Sequence, residues 1–196
     1  MNKEYEKLEK LVQIMGPSGF EDKLQEYFKE IMLPLVDNIY SDHIGNCYAE
    51  IKGDENLPKI MINAHADSIG FMVKHIDEKG FIFTQDIPGY NVCDYRMLPG
   101  TKVKVQSRKN KRIIPGFFIP TIPIHSLSDE DLTTSIERED LAIDIGAKSL
   151  EQAKRYVDVY DYVTIFPQTT YLKLNENNKE YMVSSNLDDR AGIFCM

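Results

Sequence analysis

An α/β domain interrupted by a β-rich insertion is the fold class the sequence predicts, and three observations predict it. Helical periodicity marks residues 5–31, alternating and short apolar runs take over from about residue 70, and a helix-initiating pattern returns near residue 187. The chain has 196 residues, enough for two small domains to share.

Tyr5, Leu8, Leu11, Val12 and Met15 recur at helical spacing and give one apolar stripe, which Gly16 and Pro17 end. Ser18-Gly19-Phe20-Glu21 then has the Ser-x-x-Glu form of a capping box. Phe20, Leu24, Tyr27, Phe28 and Ile31 continue an apolar face as far as Pro34, so a second helix follows. Short β-like runs at 38–42 and 47–52, separated by Ile44-Gly45-Asn46, read as a hairpin that Gly53-Asp54-Glu55-Asn56 stops. The nearly continuous apolar run 59–64 is predicted to be a strand covered on both faces, with His65 at its C-terminal end.

Strands are then expected at 70–76, 81–86, 102–106 and 112–118, with turns at 77–80, 99–100 and 109–110, the texture of a small β-barrel or sandwich. Ser149-Leu150-Glu151-Gln152 starts a short helix over 149–157. Strands at 162–166, 169–174 and 180–185 complete the set, the last two joined by 175–178. The inserted domain accordingly runs over 69–170, and the α/β part comprises 1–68 and 171–196.

Apolar residues make up 42% and charged residues 28% of the chain, a globular composition. Lys and Arg number 23 against 31 acidic residues, a net charge of -8, which argues against a nucleic-acid partner. The basic run Arg108-Lys109-Asn110-Lys111-Arg112 reads as a solvated hairpin tip. Cys47, Cys93 and Cys195 are odd in number and widely spaced, so neither a disulfide framework nor a cysteine zinc site is indicated, and a reduced compartment follows. The charged N-terminal residues and the lack of a long apolar run predict a cytoplasmic protein with no signal peptide and no membrane span.

Two constellations carry chemistry. His65 and Asp67 lie where the predicted buried strand runs out, the rim at which open α/β sheets bind ligands. A neutral imidazole binds Zn²⁺ or Co²⁺, and a carboxylate two residues on can return to its other nitrogen and fix the tautomer. His-x-Asp is common in proteins without metals, and spacing alone does not assign it a role. The second constellation is Asp188-Asp189 in Ser184-Ser185-Asn186-Leu187-Asp188-Asp189-Arg190-Ala191-Gly192. Adjacent aspartates at a helix start serve as cap and first-turn acid, or one of them can bridge two cations through its two oxygens.

Together these segments resemble the glutamyl aminopeptidase, tetrahedral aminopeptidase and endoglucanase M family of metallopeptidases. His65-Ala66-Asp67-Ser68-Ile69-Gly70-Phe71-Met72-Val73 is similar to that family's HADEIGFMV-type segment, and Leu187 to Gly192 to its LDDRxG. Ser18-Gly19-Phe20-Glu21, Asp42-His43-Ile44-Gly45-Asn46, Pro123-Ile124-His125 and Asp144-Ile145-Gly146-Ala147 match in the same order.

The resemblance implies a zinc-peptidase-like α/β domain interrupted by a β-barrel, PDZ-like domain used in assembly. It implies an exopeptidase that removes N-terminal residues from peptides with two divalent ions, zinc or cobalt, and that forms a homo-oligomer through the β domain. Carried over, His65 is a metal ligand, Asp67 the catalytic-site acid that orients it, and Asp188 the bridging ligand, followed in related enzymes by a cis peptide. If the register is shifted by one, Asp189 is the ligand instead. The family's Glu pair, a further Asp and a last His follow LDDRxG, and residues 189–196 contain no Glu or His. The expectation is an N-terminal part of such an enzyme, weak in metal binding and inactive alone; the alternative is a noncatalytic assembly module.

His43 and His75 read as structural residues, and His125 carries no catalytic role. Tyr90, Tyr95 and Arg96 are open to an interface or a packing reading.

Overall fold

In the computed structural model, residues 3–87, 89, 93–129, 133–174 and 179–196 are described. In chain order the elements are α1 (Lys3–Gln13), α2 (Asp22–Met32), β1 (Asn38–Ser41), β2 (Cys47–Glu50), β3 (Gly70–Ile76), β4 (Ile82–Ile87), β5 (Lys102–Gln106), β6 (Ile113–Pro120), β7 (Leu141–Asp144), α3 (Leu150–Ala153), β8 (Tyr162–Ile165), β9 (Thr170–Leu174), β10 (Lys179–Val183) and α4 (Leu187–Cys195). Contacts divide the chain into two units, Met1–Ser68 with Pro167–Met196, and Ile69–Phe166.

In the first unit the apolar stripe of α1 is buried at Leu8, Leu11 and Val12. Leu11 meets Leu24 and Tyr27 of α2 and Ile193 of α4 in one cluster, so helices from both ends of the chain share a core. The predicted capping box of α2 does not form. Its N-cap is Glu21, without a side-chain cap bond, and Glu21 Oε1 accepts the Gly19 N–H at 2.7 Å, while Ser18 Oγ turns away to Asp67. A carboxylate nearby in space has displaced the local partner that the Ser-x-x-Glu spacing suggests.

β1 and β2 pair antiparallel from Asn38↔Glu50 to Ser41↔Cys47. The turn between them is held by Asp42 Oδ1, which accepts the N–H groups of Ile44 at 3.1 Å and Asn46 at 2.8 Å, with Gly45 at φ 96°. β9 and β10 form a second hairpin, tied to α1 where Tyr171 donates to Glu9 at 3.1 Å. Residues 167–170, which the sequence places in the insertion, cluster with this unit: Gln13 Nε2 donates to Thr169 Oγ1 at 3.4 Å, and β9 starts at Thr170. The expected turn at 175–178 lies outside the described residues.

The run 59–64 is not the buried strand its composition predicts. Among the described residues it pairs with no strand, and Ile60, Met61 and Ile62 are 89%, 79% and 74% exposed. A strand is covered on both faces only when neighbouring elements flank it, and apolar composition does not supply them.

The second unit is a closed barrel with strand order β3-β4-β7-β6-β5-β8. Closure leaves no free edge, and alternation sends Val103 and Val105 of β5 inward with Phe71, Val73, Ile82, Phe118, Ile143 and Val163. Phe71 and Phe118 meet edge to face with centroids 5.1 Å apart. β6 and β7 approach so closely that a Cβ on Gly116 would lie 2.8 Å from Ile143 Cγ2 and 3.0 Å from the Asp144 carbonyl oxygen. β7 was not expected from sequence, whereas the start of α3 was: Ser149 Oγ accepts the Gln152 N–H at 3.2 Å.

Candidate metal centre

The site lies in the first unit, and alternation along an extended segment builds its first half. Ala64 and Ala66 pack against the α1–α2–α4 cluster, which turns His65 between them outward to 54% side-chain exposure. Asp67, two residues on, lies on the same side as His65, and its Oδ1 stands 3.0 Å from His65 Nδ1. Its other oxygen, Oδ2, accepts the hydroxyl proton of Ser18. The loop bearing Ser18 is fastened to the same segment, because the Gly16 carbonyl accepts the Ser68 N–H at 2.9 Å and the Ser68 hydroxyl at 3.2 Å.

α4 brings the second half. Asn186, in the left-handed region at φ 64°, donates from its side chain to the Val12 carbonyl at 3.0 Å and so anchors the start of α4 to α1. Asp188 and Asp189 lie outside helical φ/ψ, and the peptide bond between them is cis. The two carboxylates then part. Asp189 Oδ1 accepts the Gly192 N–H at 3.0 Å, a capping bond, while Asp188 Oδ1 stands 2.7 Å from His65 Nε2.

Arg190 is buried beneath this site. Its Nη1 donates to the Leu11 carbonyl at 3.0 Å, and its Nε and Nη2 have no hydrogen-bond partner among the described residues. Burial pulls the guanidinium down to about 10, against the opposing attraction of Asp67 and Glu21. For His65, burial acts to lower the pKa, but the bonds to Asp188 and Asp67 outweigh it and raise the imidazole above its usual value.

The family model of the M42 glutamyl aminopeptidases matches residues 45–196, a span that holds His65, Asp67 and Asp188. The chain belongs to that family. It is 27% identical over 199 residues to the lysyl aminopeptidase of Pyrococcus furiosus, covering 98% of this chain and 53% of that relative. Its fold superimposes on the aminopeptidase APDkam598 from the archaeon Desulfurococcus kamchatkensis with a TM-score of 0.85 at 30% identity, covering 98% of this chain and 49% of that one. The TET1 peptidase of Pyrococcus horikoshii, which can assemble into a tetrahedron or a large octahedral shell, superimposes with a TM-score of 0.75 at 31% identity, covering 98% and 54%. The chain spans about half the length of the curated relatives it matches.

Its donor set fits one side of the metal centre that an M42 aminopeptidase calls for. Nδ1 of His65 is directed at Asp67 and Nε2 at Asp188 Oδ1, so Nε2 and Asp188 Oδ1 converge as an imidazole and carboxylate pair of the kind zinc and cobalt accept. Among the described residues there is no cluster of three or more His, Cys, Asp or Glu placed to hold a metal ion.

The remaining candidates of this M42 chain stand elsewhere. His43 is in the β1–β2 turn, His75 stacks on Phe83 with centroids 4.5 Å apart, and His125 lies exposed in a single turn at Ile124–Ser126. Tyr95 donates to Asp86, Arg96 pairs with Asp94 at 2.6 Å, and Tyr90 lies outside the described residues. Cys47, Cys93 and Cys195 are free thiols. No helix among the described residues is long and apolar enough to cross a membrane. Sequence reasoning missed Ser18 and Arg190; both sit inside family segments, where Ser18 was read as a helix cap and Arg190 was given no part.

Proposed function

We propose that this chain contributes one side of the metal centre of an aminopeptidase that removes N-terminal residues from peptides, and that alone it is inactive. The observation that carries the reading is the convergence of His65 Nε2 and Asp188 Oδ1 at 2.7 Å from segments 123 residues apart. His65 and Asp188 would be the ligands, Asp188 the bridging one, and Asp67 would orient His65 by accepting a hydrogen bond from its Nδ1–H. Divalent zinc or cobalt, when bound, supplies Lewis-acid polarisation of the scissile carbonyl. Two protein ligands fall short of the three or four of ordinary zinc sites, so binding is weak.

The first unit is then the N-terminal part of a zinc-peptidase-like catalytic domain. The barrel of the second is a PDZ-like assembly domain through which a cytoplasmic homo-oligomer forms. A second reading, a noncatalytic assembly module, is favoured by the barrel's being closed on itself while the candidate metal site counts two ligands.

Equilibrium dialysis against Co²⁺, together with assay on an aminoacyl chromogenic substrate, tests the proposal. Weak binding that His65→Ala and Asp188→Ala both abolish, without turnover, is expected. Binding that neither substitution alters would overturn the ligand assignment, and turnover lost in both variants would overturn the inactive reading.

A further inference from the structure

Two neighbouring ammonium groups on the outer face of the barrel have no counter-ion. Val103 and Val105 of β5 and Val163 of β8 point inward, so alternation turns Lys102, Lys104 and Gln106 outward on β5 and Thr164 outward on β8. Lys102 Nζ and Lys104 Nζ lie 4.3 and 4.4 Å from the centroid of the Phe166 ring. Among the described residues neither enters an ion pair, in a chain with 31 acidic residues. A Phe face attracts an ammonium weakly and does not neutralise it. Burial and the neighbouring Lys102 both pull the Lys104 pKa below its usual value, as expected of an ammonium that no carboxylate meets. Thr164 stands directly opposite Lys104 in the antiparallel β5–β8 ladder, which puts both side chains on one face, about 5 Å apart at Cβ. It is 3% exposed, and its hydroxyl has no hydrogen-bond partner among the described residues. Buried hydroxyls are rarely left so.

We propose that Lys104, Thr164 and Lys102 form an oxyanion-binding site on the outer face of the barrel, one that takes a phosphate ion or the carboxylate of a peptide. The ligand's oxygens accept from the Thr164 hydroxyl and the Lys104 ammonium, and Lys102 supplies the second charge. Both lysine heads sit on flexible stems that no ion pair ties down, so they turn toward an anion without breaking one. Phe166 against the two heads removes part of their hydration, and an incoming anion is attracted through less water. Gln106, two residues along the same face, is also buried, and its Oε1 has no partner among the described residues. Its amide can turn to offer an N–H to the ligand instead. The site uses no residue of the metal centre, so it stands independently of the metallopeptidase reading.

The test is an NMR titration of the 196-residue chain at constant ionic strength, followed through its backbone amides. One arm adds inorganic phosphate. The other adds acetyl-trialanine, whose blocked amine removes it from aminopeptidase substrates and whose free carboxylate is compared with the same peptide as its amide. Saturable shifts at 102–106 and 162–166 are expected, and the arm that saturates at the lower concentration identifies the source of the oxyanion. Lys104→Gln should weaken that binding about tenfold or more, the scale of a lost hydrogen bond to a charged group, while Lys104→Arg keeps it. Thr164→Val, which keeps the shape and removes the hydroxyl, should weaken it severalfold. If either variant does not fold, Lys102→Gln must weaken binding by about threefold or more, the loss expected of the second charge. Shifts that fail to saturate in both arms, that chloride reproduces, or that survive unchanged in the folded variants would overturn the proposal.

Discussion

His65 Nε2 and Asp188 Oδ1 stand 2.7 Å apart across 123 residues of chain, and the α1–α2–α4 core that holds the backbones of both segments brings them there. Ala64 and Ala66 on one side and Ile193 on the other enter the same cluster, so the polar pair is the outer edge of an apolar contact.

One consequence is a pH dependence. The imidazole pKa is raised by its bonds to Asp188 and Asp67 over the opposing effect of burial. Protonated His65 therefore adds stability that is fully present below the unfolded value of about 6.5. It is lost as pH rises through the higher folded value. Asp188→Asn and Asp67→Asn should each lower the His65 midpoint followed by NMR titration. A midpoint unmoved by either substitution would mean that the ring does not meet these carboxylates in solution.

Arg190 tests what a buried cation contributes. Arg190→Ala opens a void between α1 and α4 and should destabilise the chain by on the order of 2–5 kcal/mol in urea melts. Arg190→Met keeps most of the volume and removes a charge whose Nε and Nη2 have no hydrogen-bond partner among the described residues, so it should cost little beyond the lost bond to the Leu11 carbonyl, about 1 kcal/mol. Equal losses in the two variants would show that attraction to Asp67 and Glu21, rather than packing, holds the residue in place.

The barrel supplies a separate test. Gly116→Ala places a methyl 2.8 Å from Ile143 Cγ2 and 3.0 Å from the Asp144 carbonyl oxygen, both belonging to the paired strand β7. Overpacking of this kind costs about 1–3 kcal/mol. Thermal melts should show the loss, and an unchanged melting temperature would mean that β6 and β7 stand further apart than described.

What could be read from the sequence divides along the range of the interactions. α1, the start of α3 and the β1–β2 hairpin rest on contacts within a few residues, such as Asp42 to Asn46, and their patterns are legible. β7 has four residues and follows a single helical turn at Arg138–Asp140, too short for alternation to stand out. Ser18 shows the opposite failure: a well-formed local motif, Ser-x-x-Glu, was overridden by a partner 49 residues away. The Asp188–Asp189 ambiguity was likewise beyond spacing, since only the backbone at the head of α4 decides which carboxylate caps the helix and which meets His65.

The run 59–64 leads to the last prediction. Pro58 and Lys59 precede three consecutive exposed apolar residues, Ile60, Met61 and Ile62, in a segment that pairs with no strand among the described residues. A run of exposed apolar residues outside any strand ladder is a template for pairing with another chain. The single charge of Lys59 stands at one end of the run, where it guards that end alone. The chain should therefore associate in a concentration-dependent way that sedimentation and light scattering detect. Ile60→Lys with Ile62→Lys places two ammonium groups on one face of the segment, and like charges brought together across a new ladder repel. The double variant should reduce the associated fraction severalfold while leaving the melting of the barrel unchanged, because the barrel lies wholly within Ile69–Phe166. Association that persists undiminished would locate the contact away from this segment and leave the barrel, proposed above as the assembly domain, to account for all of it.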